Sequence, residues 1–365
     1  MSACLWAILA ACGDKSPGDS TTDPGTGGIG AVGGTGNTGG TGLTGGTDGC
    51  SYQLVADGLP ATLFTISATS TRDVYTAGAR DAYGPLFYHF DGTGWTRIDT
   101  SSLDFDLWWL FNDGAGTMWA GGEHGRIARY DLGNGTWTSE EVGNPAYIFF
   151  GIWGSSPTNI WATAGDASLD LPGVIYHFDG TSWAVAATTS PTALGTPRGA
   201  FKVWGRGATD VYVVGTGALS MHYDGTAWTD QDSPLFDGLT LFTVAGDANE
   251  TIAVGGQGNA AAQTWSVDAS TLADITPPPV DIVPGFVGVY DHPLYDAAAS
   301  SASGSVWRYS GGAWGVDPCT PVTSRGLHAV WVDDDNGVWS VGGDLTTLDY
   351  GVMVYSGELT VPPIP

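Results

Sequence analysis

The sequence predicts an all-β fold, a seven-bladed β-propeller of four-stranded blades, on three observations. Turn-forming residues dominate, with 57 glycines among 365 residues, while the helix formers Lys and Glu are scarce. A short strand ending in glycine is copied seven times at intervals of 41 to 51 residues, a period that suits four strands and their turns. Tryptophan occurs 16 times, as expected where every repeat packs a large aromatic side chain.

Each repeat has the same internal order of strands. The registered residues of the glycine-ended strand are Tyr75, Trp119, Trp161, Tyr212, Ala253, Tyr295 and Trp339. An apolar strand precedes it, and a third strand follows that enters a hairpin turn such as Asp-Gly-Thr-x-Trp, whose tryptophan opens a fourth strand. Because an open sheet edge invites association, the ring must close. Residues 52–55 and the segment around Leu359 compete for that role, and we expect residues 52–55 to complete the last blade.

The N-terminus predicts export and a lipid anchor. Residues 5–11 are apolar, and Leu9-Ala10-Ala11-Cys12 resembles the lipobox of bacterial lipoproteins, which implies cleavage before Cys12 and acylation of its thiol. An ordinary cleaved signal is the alternative. We expect a signal peptide at 1–11, the lipidated Cys12 with a disordered Gly/Thr-rich linker at 12–49, and the propeller at 50–365. The predicted location is the outer membrane or cell surface of a Gram-negative-type bacterium.

Two of the four cysteines remain once the signal is removed and Cys12 is acylated. In an exported chain we expect Cys50 and Cys319 to form a disulfide. Loop-closure entropy sets its largest stabilisation at about 5 kcal/mol. Two free thiols are the alternative.

The net charge of −27 limits the partners of this chain. Nucleic acids and anionic lipid headgroups would be repelled, so membrane contact is expected only through the lipid anchor. Cations and neutral ligands remain possible. We expect a monomer, in which the acidity keeps a tryptophan-rich exported surface soluble.

The repeats resemble those of kelch and Asp-box propellers over residues 52–361. Gly121-Gly122 followed by Tyr130-Asp131 and Trp137 is similar to a kelch repeat, and Asp-Gly-Thr-x-Trp is similar to an Asp-box with one residue fewer before the tryptophan. Together with the export signal and tether, Trp-Gly-Ser-Ser-Pro-Thr-Asn-Ile-Trp at 153–161 resembles the propeller lipoproteins of myxobacteria and their relatives. A resemblance to the sialidases among Asp-box propellers would imply several arginines near the axis and a catalytic Tyr/Glu pair. In this sequence no Tyr and Glu stand in a matching context.

Three sets of repeated polar or aromatic residues could carry chemistry. The turn tryptophans Trp95, Trp137, Trp183, Trp228 and Trp314 could form a stacking platform, but burying each contributes about 4 to 6 kcal/mol, so we expect structural roles. His89, His177 and His222 occupy equivalent positions around the ring and cannot converge on one metal ion, so we expect hydrogen bonding between blades. Asp333 and Asp335 have the spacing of part of a calcium loop, with a hairpin turn as the alternative.

Ligand binding is predicted at the face formed by the loops between second and third strands and between blades, because function concentrates in such loops. The longest of these loops span 79–85, 166–173, 188–200, 276–285 and 344–351. The candidate binding residues on this face are Arg80, Tyr83, Glu123, His124, Asp166, Asp170, Arg198, Asp344 and Tyr350.

The function predicted from these features is a noncatalytic module that binds or scaffolds a protein or glycan of the cell envelope. No catalytic residue is assigned, since the chain has neither a Gly-x-Ser-x-Gly elbow nor a His-Glu-x-x-His motif. No cofactor is expected apart from the weak calcium candidate. The alternative is a carbohydrate-active hydrolase or lyase with an unusual propeller active site.

Overall fold

The computed structural model describes residues 52–168, 170–192, 195–231, 239–248, 250–257, 260–267, 272–274, 285–293, 295–310, 313–317 and 323–365. Within these ranges the chain forms strands β1 to β28, arranged as seven antiparallel four-stranded sheets. The predicted β-propeller of four-stranded blades is therefore confirmed. Across the described residues, helices of the length and apolarity needed to cross a membrane are absent.

The blades follow the chain, and each is numbered by the repeat that forms it. The outer strand β1 (Tyr52–Leu59) comes before blade 1 in the sequence. Blade 1 contains β2 (Leu63–Ser70), β3 (Asp73–Asp81), β4 (Gly84–Phe90) and β5 (Trp95–Arg97). Blade 2 contains β6 (Leu107–Asn112), β7 (Thr117–Gly122), β8 (Arg126–Asp131) and β9 (Thr136–Glu141). Blade 3 contains β10 (Tyr147–Ser156), β11 (Asn159–Asp166), β12 (Val174–Phe178) and β13 (Trp183–Thr188).

The second half of the chain repeats this order. Blade 4 contains β14 (Ala200–Gly207), β15 (Asp210–Gly215), β16 (Ser220–Tyr223) and β17 (Trp228–Asp230). Blade 5 contains β18 (Thr240–Gly246), β19 (Thr251–Gln257), β20 (Ala260–Val267) and β21 (Leu272–Asp274). Blade 6 contains β22 (Phe286–His292), β23 (Tyr295–Ser301), β24 (Val306–Ser310) and β25 (Ala313–Val316). Blade 7 contains β26 (Gly326–Val332), β27 (Val338–Gly343) and β28 (Gly351–Ser356).

The N-terminal strand closes the ring, as predicted. β1 pairs antiparallel with β28, with Tyr52 opposite Ser356 and Leu54 opposite Val354, and thereby becomes the outer strand of blade 7. The segment around Leu359, which competed for this role, lies beside β1, since the side-chain amide of Gln53 donates to the carbonyl of Leu359 at 2.6 Å. Joining the two ends of the chain in one sheet removes the open edge that either end would otherwise leave.

The first strand of each blade lies at the centre of the molecule. Each contacts the first strands of both neighbouring blades, and β26 of blade 7 contacts β2 of blade 1. Residues on these strands are therefore the ones that face, or lie closest to, the axis of the ring. The second, third and fourth strands follow outward in order in blades 1 to 6.

A β-bulge interrupts every first strand at the same position. The bulged residues, which we call the axial ring, are Phe64, Trp108, Phe150, Phe201, Phe242, Val287 and His328. From His328 through Phe64 to Phe242, successive rings lie against one another around the axis, with centroids 4.2 Å apart for Phe64 and Trp108 and 5.0 Å apart for Phe150 and Phe201. Because a bulge redirects a side chain relative to the pleat, this repeated irregularity fills the axis with aromatic surface.

Candidate functional site

A cavity of about 360 Å³ lies on the axis of the propeller. Apart from Pro293, its lining comes from the part of the first strand that follows the axial ring, in all seven blades. First and second strands are antiparallel, so this end of the axis is opposite to the loops between second and third strands. The cavity therefore lies at the other end of the molecule from the predicted binding face. Its volume falls within the ~300–1,000 Å³ range typical of small-molecule sites.

The walls of the cavity are aromatic on two sides. Phe111, Trp153 and Trp204 occupy equivalent positions in blades 2, 3 and 4, and Tyr290 and Trp331 occupy the same position in blades 6 and 7. The two remaining blades place the small residues Ser67 and Ala245 there, which separates the two aromatic walls. We call these walls the three-ring wall and the two-ring wall. All five aromatic side chains are half-buried or buried, which leaves part of the rings facing the cavity.

Glycines position the three-ring wall. A Cβ atom on Gly205 would lie 2.7 Å from the Trp153 ring, and one on Gly246 would lie 2.8 Å from the Trp204 ring. Each tryptophan therefore lies against the glycine of the next blade, at a distance that a larger residue would not permit. Trp153 of blade 3 thus packs against Gly205, which follows Trp204 in blade 4. Trp204 packs in turn against Gly246, which follows Ala245 in blade 5.

One carboxylate lines the cavity near the two-ring wall. Asp291 follows Tyr290 on β22, and its side chain is buried. Tyr290 packs edge-on against Trp331 at 6.2 Å between ring centroids. Burial raises the pKa of Tyr290, and the carboxylates of Asp334 and Asp291 add to that rise. Among the residues that line the cavity there is no Lys, Arg or His.

A buried lysine lies between the cavity and the axial ring. The ammonium of Lys202 on β14 donates to the carbonyl of Phe150 and lies 3.8 Å from the centroid of the Trp109 ring. These partners belong to blades 3 and 2, so the side chain of Lys202 extends from blade 4 toward the far side of the axis. Burial holds the pKa of Lys202 well below its usual value. No salt bridge to Lys202 is found within the described ranges.

The axial ring contains one polar side chain, that of His328. Its Nδ1–H donates to the carbonyl of Phe64 at 2.6 Å, which links blade 7 to blade 1. Burial lowers its pKa to about 4, and the nearby charge of Lys202 contributes. His328 is therefore neutral near pH 7 and serves as a hydrogen-bond donor in the ring of blades.

The predicted binding face contains two separate ionic clusters. In the first, Arg80 of blade 1 bonds Asp106 at 2.9 Å and lies 3.8 Å from Glu123 of blade 2. Burial, together with Asp106, raises the pKa of Glu123. In the second cluster Arg325 bonds Asp344 at 3.3 Å and lies over the Tyr350 ring, while the Tyr350 hydroxyl donates to Asp57 at 2.8 Å.

The other predicted residues of this face are mostly engaged in their own loops. Asp166 accepts hydrogen bonds from the backbone amides of Ser168 and Asp170, which orders its loop. Arg198 is 1% exposed, donates to the carbonyl of Ser190 at 2.7 Å and pairs with Asp230. Tyr83 is 73% exposed, and His124 is exposed with a φ of 59°. The structure thus brings Arg80 and Glu123 together, and Asp344 and Tyr350 together, on the predicted face.

The three repeated histidines bond within their own blades, so the prediction of bonds between blades was wrong. His89, His177 and His222 lie 2.7, 2.6 and 2.8 Å from Asp73, Asn159 and Asp210, respectively. Each partner is the first residue of the second strand, next to the third strand that carries the histidine. Each imidazole also packs against the aromatic ring opposite it on that second strand.

The turn tryptophans pack between blades, as their expected structural role requires. Trp95 contacts Trp339 of blade 7 edge-on at 6.0 Å, and Trp228 contacts Trp161 of blade 3 at 5.3 Å. The aspartates that open these turns cap them, and hydrogen bonds from Thr93 and Gly94 lower the pKa of Asp91 to about 2. These tryptophans do not line the axial cavity.

The weak calcium candidate forms a turn. The carboxylate of Asp333 is buried and accepts hydrogen bonds from the amides of Asp335 at 3.0 Å and Gly337 at 2.6 Å. Across the described part of the chain, no three His, Cys, Asp or Glu side chains are grouped to hold a metal ion. Cys12, Cys50 and Cys319 lie outside the described residues, so lipidation and the disulfide remain predictions.

Sequence reasoning missed the axial cavity, although a signal for it was present. The apolar first strands were recognised as strands, but their aromatic positions were not compared across repeats. Aligning Phe111, Trp153, Trp204, Tyr290 and Trp331 would have shown one bulky ring per blade, interrupted in two blades. Lys202 is the only lysine on a first strand, and its charge in an apolar segment was a second signal.

Comparisons with known proteins identify the fold. No protein-family model matches the chain, and no curated protein matches it. The WD40 β-propeller domain of Doa1 is 12% identical, covers 84% of this chain and 97% of its own, and has a TM-score of 0.62. Virginiamycin B lyase from Staphylococcus aureus is 11% identical, covers 83% and 99%, and has a TM-score of 0.64. YCF48 from Cyanidioschyzon merolae is 15% identical, covers 84% and 98%, and has a TM-score of 0.57. At these identities the likenesses show that the chain is a β-propeller.

Proposed function

We propose that this chain is a noncatalytic binding module of the bacterial cell envelope, in which the axial cavity recognises a segment of a protein or glycan. The observation that carries the proposal is the pair of aromatic walls, formed by Phe111, Trp153 and Trp204 on one side and Tyr290 and Trp331 on the other. Stacking on such rings suits the faces of sugars and apolar side chains, and a concave site allows several rings to contact one ligand.

The envelope location rests on the N-terminal sequence. The lipobox-like Leu9-Ala10-Ala11-Cys12 and the Gly/Thr-rich linker suit a propeller held away from a membrane by an anchored tether. The resemblance of its repeats to kelch and Asp-box propellers, and of its layout to the propeller lipoproteins of myxobacteria, supports this part of the proposal. Secretion in a bacterial host, with mass spectrometry of the N-terminal peptide, tests the acylation of Cys12.

The fold is compatible with binding and with catalysis, and the binding proposal rests on the cavity. WD40 domains and virginiamycin B lyase both have propellers similar to this one. Fold likeness alone does not choose between them. The alternative, a carbohydrate-active hydrolase or lyase, is therefore an outcome that the experiment must be able to report.

The test is retention on a glycan array and in a pull-down from envelope extracts, with analysis of the eluted glycans for products. We expect retention without turnover, and a loss of retention of about tenfold or more in the double variant Trp153→Leu with Trp204→Leu, because stacking contacts are removed. Circular dichroism and thermal unfolding establish that this variant is folded.

Tyr83→Ala provides the matched control. Tyr83 is an exposed aromatic residue at the opposite end of the axis, so its removal should leave retention unchanged. Loss of retention in Tyr83→Ala with full retention in the tryptophan double variant would move the site to the loop face. Cleaved glycans in the eluate would favour the enzyme.

A further inference from the structure

The charge around the axial cavity restricts what it can hold. Its lining has one carboxylate, Asp291, and no basic side chain. The protein as a whole carries a net charge of −27. Anions approaching the cavity therefore meet an unfavourable potential, whereas cations are attracted toward it.

The aromatic walls favour the same sign of charge. The face of an aromatic ring is negative because of its quadrupole, so a cation between several rings is stabilised, most strongly by tryptophan. Trp153 and Trp204 on one wall and Trp331 and Tyr290 on the other border a single cavity. Ser67 and Ala245 separate the two walls around the axis, and both walls line the same cavity of about 360 Å³.

One contact between a cation and an aromatic ring is already present near the axis. The ammonium of Lys202 lies 3.8 Å from the centroid of Trp109, and Trp109 also lines the cavity. Lys202 is a basic group beside the Trp109 ring, so its charge would oppose a second cation. Burial lowers the pKa of Lys202 and thereby reduces that opposition.

We propose that the axial cavity binds a small organic cation, a quaternary or alkylated ammonium group held between the two aromatic walls with Asp291 as its counter-charge. The proposal rests on the proposed function to the extent that both use the same cavity, and it specifies the chemistry of the ligand. An ammonium ion carrying methyl groups suits the site because its charge is spread over an apolar surface and needs few hydrogen bonds from the walls.

The experiment compares choline with 3,3-dimethyl-1-butanol, in which a carbon atom replaces the nitrogen and the charge is lost while the shape is kept. Isothermal titration calorimetry on the tethered full-length protein should show choline binding about tenfold or more tighter than the neutral isostere. The affinity for choline should fall as sodium chloride is added, and that for the isostere should not.

Three variants assign the effect to the cavity. Trp204→Leu should weaken choline binding by about tenfold, because one aromatic face is removed. Asp291→Asn should weaken choline and leave 3,3-dimethyl-1-butanol unchanged, which a general loss of folding would not do. Tyr83→Ala should change neither affinity.

Equal affinity for the two probes would overturn the charge selectivity and leave the cavity as a binding site. If neither probe binds while retention of a protein or glycan still depends on Trp153 and Trp204, the cation proposal fails and the proposed function stands. If neither probe binds and retention is also independent of both tryptophans, the two proposals fail together.

Discussion

The two ends of the propeller axis differ in the partners that their side chains contact. At the loop end, Arg80, Arg198 and Arg325 each find carboxylates within the protein, so the charges there are largely used to join neighbouring loops and blades. At the cavity end, the aromatic walls are packed on one side against glycines of the next blade and leave the other side toward an empty space. The comparison teaches that charged side chains at one end of the axis hold loops and blades together, whereas the aromatic side chains at the other end border a cavity.

The largest effect is expected at the loop end. Arg198→Ala should destabilise the protein by about 2–4 kcal/mol, because the buried Arg198 side chain and its bonds to Asp230 and to the Ser190 carbonyl would be lost. Arg126→Ala is the matched control and should cost about 0–1 kcal/mol, since the Arg126 side chain is 31% exposed, its partner Glu141 is 69% exposed, and their ion pair is therefore screened. Urea unfolding of both variants measures the difference. Equal losses would show that burial does not distinguish the two arginines.

A smaller effect is expected from the glycine that supports the three-ring wall. Gly205→Ala should destabilise by about 1–3 kcal/mol, because the new Cβ would lie 2.7 Å from both the Trp153 ring and the carbonyl oxygen of Asp210. Gly207→Ala on the same strand places its Cβ in open space and should have little effect. Unfolding curves and tryptophan fluorescence report stability and ring position. An unchanged Gly205→Ala protein would contradict the close-packed wall.

The smallest effect concerns Lys202 and depends on pH. Lys202→Met should stabilise the protein at pH 7, on the order of 1 kcal/mol, by removing a buried amine in favour of an apolar chain of similar size. The folded-state pKa of Lys202 lies below its unfolded value of about 10.4, so the unfolded state binds more protons between the two. Wild-type stability should therefore rise with pH across that window, and the advantage of Lys202→Met should shrink as pH approaches 10.4.

The difference between the two unfolding free energies at pH 7 and pH 10 is the relevant measurement, because other titrating groups cancel in it. A constant difference would mean that the amine keeps its ordinary pKa inside the propeller. A loss of stability in Lys202→Met would mean that the contacts with Phe150 and Trp109 outweigh the cost of burial.

Much of the fold could be predicted because its signals are local. Strands, glycine-ended turns and the Asp-Gly-Thr-x-Trp hairpins recur at a fixed period, and the spacing of residues 52–55 from blade 1 indicated the strand that closes the ring. The structural role of Trp95 and Trp228 also followed, since burial energy depends on side-chain size. The histidine prediction failed because the sequence gives the position of His89 on its strand but not the direction of its hydrogen bond to Asp73.

The repeat, the order of strands and the acidic charge follow from the amino-acid sequence alone, because they depend on neighbours in the chain and on composition. Which side chains line a common cavity depends on how the blades pack around the axis. The wall residues Phe111, Trp153, Trp204, Tyr290 and Trp331 follow one another at intervals of 41 to 86 residues, and they share one cavity because bulged first strands converge on a common axis. Lys202 contacts Trp109 for the same reason, since the closed ring of blades brings together residues that are far apart in the chain.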